Sequence, residues 1–132
     1  MANNRPDYVP DGYNTINPYL LVDQPEQEML FLMSIFDAQE LDRIDNAQGE
    51  ALNIRMQIGD SPFMIGRATP GYPARSSMQY IFVKDVTKTY ESAIALGCQS
   101  VMPPTKQNYG MFDAGIMDLQ GIEWWIAQPL NP

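Results

Sequence analysis

The stretch "INPYLLVDQPEQEMLFLMSIFDA" (residues 16–38) decides the fold, because its pattern returns in "MQYIFVKDVTKTYESAIALGC" (residues 78–98). Each stretch begins with a short apolar run of the length of a strand. Each then continues into a longer segment with helical spacing of apolar residues. A strand followed by a helix, occurring twice in so short a chain, indicates an internal repeat.

Residues typical of helix ends support both predicted helices. The first begins at Asp23 or Gln24 as N-cap, with Pro25 in the first turn. The second has Asp85 as N-cap and Gly97 as its C-terminal stop. The two helices are therefore predicted with defined starts.

Short strands are predicted after each helix. In the first half, "ALNIRMQI" (51–58) alternates apolar and polar residues, and "PFMIGRA" (62–68) follows the turn "GDS". In the second half the strands are "QSVMPP" (99–104), "FDAGIMD" (112–118) and "IEWWIAQ" (122–128). We therefore predict an α+β fold in which each half is strand, helix and three strands (βαβββ).

The predicted organisation is one structural domain built from two modules. Residues 1–15 are polar and Pro-rich and are interpreted as an irregular arm without the features of a signal peptide. Residues 16–69 form the first module and residues 78–129 the second. The Pro- and Gly-containing segment 70–77 is the predicted linker between them.

Composition excludes several classes of function. The chain has 132 residues and no histidine, which removes the commonest metal ligand and general base. Sixteen acidic against eight basic residues make nucleic acid a poor partner. No apolar run is long enough to cross a membrane. Cys98 is the only cysteine, which predicts a small buried residue and a reducing cytoplasm.

The order and spacing of several stretches resemble the vicinal oxygen chelate superfamily, the glyoxalase/bleomycin-resistance/dioxygenase fold, and within it the PhnB-like branch. These stretches are "PYLLVD", "IGDSPFMI", "YIFVKDV", "MPPTKQNYG" and "MDLQGIEWWIA". The resemblance covers residues 16–128. It implies eight strands curled into a cup-like mixed sheet with the helices outside. The chain departs from the family at Asp37, where a glycine is usual.

Catalytic members of that superfamily hold a divalent metal in the cup with His, Gln or Glu side chains. Carried over by spacing, the four ligand positions fall at Asn17, Met64 or Ile65, Met78 and Trp125. Thioether and indole groups are not ligands for ions such as Mg²⁺ or Zn²⁺ in oxygen and nitrogen sites. We therefore expect no metal, no other cofactor and no catalytic residue.

A strand period of two predicts the residues that face into the cup. Aromatic and methionine side chains dominate this set, which is typical of a small-molecule pocket. The predicted ligand-binding residues are Asn17, Tyr19, Arg55, Gln57, Met78, Tyr80, Phe82, Glu123 and Trp125, and Leu21 and Asn53 face the same way.

Two charged residues of this set leave alternatives open. Glu123 stands on the same face as Trp125, two residues earlier, as a solvated or salt-bridged rim carboxylate, a ligand contact or a catalytic group. Arg55 pairs with Glu123 across the sheet or meets an anionic group of the ligand, and the pairing is favoured.

The favoured function is a metal-free protein that sequesters a planar or cationic drug-like molecule, as antibiotic-resistance members of the superfamily do. The resemblance also implies a homodimer. The alternative is a lyase, isomerase or dioxygenase with atypical metal ligands, or a metal-free mechanism using Glu123 with Tyr19, Tyr80 or Tyr109. A third hypothesis is a binding module of unknown ligand.

Overall fold

The computed structural model describes residues 5–131, which fall into two compact units, the first ending at Pro73 and the second beginning at Ala74. Residues 1–4 of the predicted arm lie outside the described range. The first unit contains β1 (Tyr19–Val22), α1 (Pro25–Phe36), β2 (Gln39–Asp45), β3 (Ala51–Ile58) and β4 (Ser61–Arg67). The second contains β5 (Met78–Phe82), α2 (Val86–Ala95), β6 (Gln99–Lys106), β7 (Met111–Met117) and β8 (Glu123–Pro129).

The two units have the same topology. The sheet order is β1-β4-β3-β2 in the first and β5-β8-β7-β6 in the second. The first and last strands of each unit pair in parallel, and the other pairs are antiparallel. Both sheets are thus mixed and open. The predicted α+β fold with two βαβββ modules is confirmed.

Each helix covers one face of its own sheet. In the first unit α1 buries Leu32 and Phe36, and the sheet contributes the fully buried Leu20, Ile54 and Ile65. Since successive residues of a strand point to opposite faces, these positions fix which side of the sheet is the core. Among residues 5–131, no helix of the same unit packs on the other side of either sheet, and we call this side the helix-free face.

The second unit follows the same plan with a smaller helix. Val86 and Ala93 are fully buried on α2, whose sheet contributes Ile116 and Ile126 at zero exposure. Cys98, just beyond the helix, is also buried, as the sequence predicted. The cores of both units therefore lie between a helix and a sheet.

The first unit differs from the sequence-based prediction in two places. β1 begins at Tyr19 rather than at residue 16, because Asn17 closes a local loop with Asn14 instead of joining the ladder. β2 was not identified as a strand. It is an edge strand whose residues are almost all exposed, and two register shifts interrupt its pairing with β3, so it has no alternating apolar pattern to detect.

The predicted helix ends agree closely with the structure. Asp85 is the N-cap of α2, and its side chain accepts a 3.1 Å hydrogen bond from the Lys88 backbone N–H. Gly97, just after that helix, has φ +101°. Gln24 is the N-cap of α1, and its side chain makes no capping bond. Within residues 5–131, no helix combines the length and hydropathy needed to span a membrane.

Candidate functional site

The helix-free face of the second unit exposes large apolar side chains in a row. Met78, Tyr80 and Phe82 alternate along β5 and are 65%, 49% and 60% exposed. The Tyr80 and Phe82 rings meet edge to face, with centroids 5.6 Å apart. Strand pairing places Met78 beside Glu123 and Tyr80 beside Trp125. Exposed apolar side chains arranged so closely make this face a candidate binding surface.

Trp125 lies over a strand position that has no side chain. Gly115 of β7 pairs with Trp125, and a Cβ at Gly115 would come within 3.0 Å of Cζ2 of the indole. That distance is tighter than ordinary van der Waals contact. Gly115 therefore allows the indole to lie against the sheet. The face of the indole that points away from the sheet adds to the aromatic surface.

Glu123 has a defined partner on this face. The indole Nε1 of Trp125 donates a 2.6 Å hydrogen bond to Oε2 of Glu123. Both side chains are partly exposed. The partner of Glu123 is thus an indole N–H of the same strand, two residues away.

The most buried polar group of the face is Asp113 of β7, whose side chain is fully buried. Its Oδ2 accepts hydrogen bonds from the hydroxyls of Tyr80 at 3.2 Å and Tyr109 at 2.7 Å. Its Oδ1 accepts a 3.0 Å bond from Nε2 of Gln107, which also lies 3.6 Å from the Met102 sulfur. Three neutral donors thus converge on one carboxylate.

Asp113 also controls the ionisation of the two tyrosines. Its hydrogen bond, together with burial and its charge, raises the pKa of Tyr109 to about 12. Burial, followed by the charge and hydrogen bond of Asp113, raises the pKa of Tyr80. Both phenols therefore stay protonated at neutral pH.

The helix-free face of the first unit is more polar. Tyr19 is about half exposed, and its hydroxyl accepts a 3.2 Å hydrogen bond from Nδ2 of Asn53. Its ring covers Gly66, where any Cβ would collide with it. Leu21, two residues further along β1, is largely buried. The strands contribute one aromatic ring to this face, Tyr19, whereas those of the second unit contribute three.

Arg55, in the middle of that face, already has an ion-pair partner and a hydrogen-bond partner within the first unit. Its Nη2 lies 2.8 Å from Oδ2 of Asp42 on β2, and its Nε also donates to that carboxylate. Its Nη1 donates to the Gly12 carbonyl, and its guanidinium lies 5.0 Å from the centre of the Tyr13 ring. The predicted pairing with Glu123 is therefore wrong: the neighbouring strand supplies the carboxylate.

Two further predicted site residues make short-range bonds. Asn17 accepts from the Asn14 backbone N–H at 3.0 Å and donates to its carbonyl at 2.6 Å, in the loop before β1. Gln57 lies on the helix-free face with Arg55, and its Nε2 donates to the Gly59 carbonyl. Both side chains support loop geometry at the ends of strands.

The residues at the four implied ligand positions do not fit a divalent metal. The amide of Asn17 is engaged with Asn14, Met64 and Met78 present thioethers, and the Trp125 indole N–H is a donor. Ions of this class need several oxygen or nitrogen donors around one point. Residues 5–131 contain no group of three or more His, Cys, Asp or Glu side chains placed to hold such an ion.

The structure thus assembles the predicted residues in two sets. Met78, Tyr80, Phe82, Glu123 and Trp125 share the helix-free face of the second sheet. Tyr19, Arg55 and Gln57 share that of the first sheet, whereas Asn17 precedes it.

The sequence-based prediction missed Asp113, Gly115 and Gln107. A signal for the first two was present, because a period of two in "FDAGIM" places Asp113 and Gly115 on one face of β7. Gln107 lies in the loop between β6 and β7, where no periodicity applies.

This architecture is the vicinal oxygen chelate fold, shared by glyoxalase, bleomycin-resistance and dioxygenase proteins. No protein-family model matches the chain. An uncharacterized protein of Mycobacterium tuberculosis is 24% identical over 127 residues, covering 88% of this chain and 75% of that protein.

Solved structures show the same fold at low sequence identity. TioX from Micromonospora sp. ML1 is 20% identical with a TM-score of 0.71, covering 87% of this chain and 99% of TioX. A PhnB protein from Bacillus cereus is 14% identical with a TM-score of 0.71, covering 86% and 98%. The fosfomycin resistance protein FosX from Mesorhizobium loti is 15% identical with a TM-score of 0.62, covering 87% and 91%.

Proposed function

We propose that this chain is a metal-free binding protein that sequesters a planar or cationic small molecule on the helix-free face of its second unit. The observation that carries the proposal is the row of Met78, Tyr80 and Phe82, each about half exposed or more, beside Trp125. Aromatic faces bind planar rings, and each stacked pair contributes about 0.5–1.5 kcal/mol beyond the buried area. Methionine adapts to irregular ligand shapes.

Charge supports a cationic ligand. Asp113 and Glu123 place two carboxylates among the aromatic rings of this face. The formal net charge of −8 adds a long-range attraction for cations. A cation over an aromatic ring gains a further ~0.5–2 kcal/mol.

A role in antibiotic resistance is the favoured form of this proposal. FosX, which has the same fold, is a fosfomycin resistance protein. We further propose a cytoplasmic homodimer: Cys98 is the sole cysteine, and a second copy would cover part of the exposed apolar surface. Sedimentation velocity at micromolar concentration tests the dimer, and a monomer would contradict it.

The test is a thermal-shift screen of the native protein against planar cations, neutral planar aromatics and peptide antibiotics. We expect planar compounds to raise the melting temperature in a concentration-dependent manner, because they bind only the folded state. Tyr80→Ala should reduce that rise strongly. Tyr8→Ala is the matched control, since Tyr8 lies in the N-terminal segment and is 80% exposed.

Two results would contradict the proposal. One is no stabilisation of the native protein by any compound class. The other is stabilisation that Tyr80→Ala and Tyr8→Ala reduce equally, which would locate the binding away from the second helix-free face.

A further inference from the structure

Asp113 fixes the direction in which the hydroxyls of Tyr80 and Tyr109 point their hydrogen atoms. Both hydroxyls lie within hydrogen-bond distance of the same carboxylate oxygen, Oδ2. A carboxylate accepts hydrogen bonds and has no proton to give, so each phenol must donate its single proton to it. The other carboxylate oxygen of Asp113, Oδ1, accepts a hydrogen bond from Nε2 of Gln107.

A phenol whose O–H already donates a hydrogen bond to Asp113 can only accept a hydrogen bond from a ligand. The remaining hydrogen-bonding capacity of Tyr80 and Tyr109 is the lone pairs of their hydroxyl oxygens. Both side chains are substantially exposed, at 49% and 60%, so a bound molecule can reach this part of the face. These two hydroxyls therefore offer a ligand two acceptors side by side.

The charge behind the two hydroxyls is uncompensated by any cation of the described chain. Asp113 is fully buried, and none of the ion pairs formed among residues 5–131 includes it. Its three partners are neutral donors. A buried carboxylate with only neutral partners gains from a nearby positive charge, since the local dielectric is low.

We propose that Tyr80 and Tyr109, aligned by Asp113, form an acceptor pair that selects ligands carrying an N–H donor, above all a protonated amine or a cationic amino-substituted ring. The inference rests on the proposed function and deepens it. Stacking on Tyr80, Phe82 and Trp125 accepts any planar ring, whereas the acceptor pair distinguishes among planar rings by their polar substituents. Selectivity and affinity thus come from different residues of one face.

Three planar dyes of similar size separate the contributions. 9-Aminoacridine is a cation with N–H donors, 10-methylacridinium is a cation without them, and acridine is neutral at pH 7.5. We expect 9-aminoacridine to bind the native protein about tenfold more tightly than 10-methylacridinium in fluorescence titrations, the size of effect typical of a hydrogen bond to a charged group. Acridine should bind most weakly.

The variant Tyr109→Phe keeps the ring and removes one acceptor. We expect it to reduce the preference for 9-aminoacridine over 10-methylacridinium severalfold and to leave the affinity for 10-methylacridinium nearly unchanged. Tyr8→Phe, the same chemical change in the N-terminal segment, should leave both affinities as they are. Circular dichroism and melting temperature verify that each variant folds.

The outcomes separate this inference from the proposed function. Equal native affinities for 9-aminoacridine and 10-methylacridinium would overturn the acceptor pair and leave the binding function standing. So would an equal loss for all three dyes in Tyr109→Phe, because it would assign the hydroxyl a purely structural role. No binding of any dye to the native protein would overturn both. The comparison of the three dyes on the native protein tests the acceptor pair even where a variant fails to fold.

Discussion

The indole Nε1 of Trp125 donates a 2.6 Å hydrogen bond to Oε2 of Glu123, a residue two positions earlier on the same strand and the same face. The carboxylate is thereby turned along the sheet toward the indole. The neighbouring Trp124 faces the core, and its indole donates to Oδ2 of Asp118 at 2.9 Å. Both indoles of the "EWW" stretch thus donate a hydrogen bond to a carboxylate, Trp125 on the helix-free face and Trp124 on the core face.

We predict that Glu123 and Trp125 are energetically coupled. In a double-mutant cycle of Glu123→Ala and Trp125→Phe, the coupling should be about 0.5–1 kcal/mol, the range of a partly exposed hydrogen bond. Urea denaturation of the four proteins measures it. Additive effects within about 0.3 kcal/mol would mean that the bond contributes nothing in solution.

Arg55 should hold the N-terminal segment against the first sheet. Its bond to the Gly12 carbonyl and its position over the Tyr13 ring are contacts that Arg55→Met removes. We expect chymotrypsin to cleave after Tyr13 severalfold faster in this variant, since the segment then opens more often.

The matched control is Arg43→Met. Arg43 lies on β2 and pairs with Asp45 at 2.8 Å, so the variant loses an arginine ion pair of similar kind without touching the segment. Its cleavage rate after Tyr13 should match that of the native protein. Equal rates in Arg55→Met and Arg43→Met would show that Arg55 does not anchor the segment.

The fold was largely predictable because the signals that carry it are local. Asp85 and Gly97 act within a few residues of their own helix. The strand at 51–58 alternates because one side meets a helix and the other does not. β2 could not be found in this way, since an exposed edge strand with register shifts has no buried side to impose a pattern.

The site was predictable only where it follows strand periodicity. The shared face of Met78, Tyr80 and Phe82 follows from a period of two and is observed. The partners of Asp113 come from β5 and from the loop after β6, and only the folded chain brings them together. Arg55 was assigned the wrong carboxylate for the same reason, because the strand carrying Asp42 had not been identified.

Asp37, at a position where glycine is usual in the superfamily that the sequence resembles, should lower the stability of the protein. Asp37 ends α1 with φ 54° and ψ 35°, a left-handed conformation that glycine adopts without cost. Its carboxylate also lies at the helix C-terminus, where the negative end of the helix dipole disfavours an anion by ~0.3–1 kcal/mol. We expect Asp37→Gly to raise the free energy of unfolding by about 1 kcal/mol.

Asp37→Asn separates the two contributions. Asparagine tolerates the left-handed conformation and removes the charge, so it should give only the electrostatic part, which salt should diminish. Asp37→Ala removes the charge but suits the conformation less well, and it should be less stable than Asp37→Asn. Equal stability of the glycine and alanine variants in urea denaturation would contradict a role for the backbone conformation.

The ionisation of Tyr109 provides a test of the Asp113 network at high pH. Its pKa is raised to about 12 from an ordinary value near 10, chiefly by the hydrogen bond to Asp113. The folded state therefore holds the phenol proton more tightly than the unfolded state. The stability that this contributes is complete below pH ~10 and is lost as the pH rises through about 12.

Ultraviolet titration of tyrosinate absorbance on the folded protein measures this directly. Tyr109 should ionise in a late phase with a pKa of about 12, and Tyr109→Phe should diminish that phase. Asp113→Asn should move that phase toward pH ~10, because it removes the charge that holds the proton. A native titration without a late phase would contradict the hydrogen bond between Tyr109 and Asp113, and the acceptor pair with it.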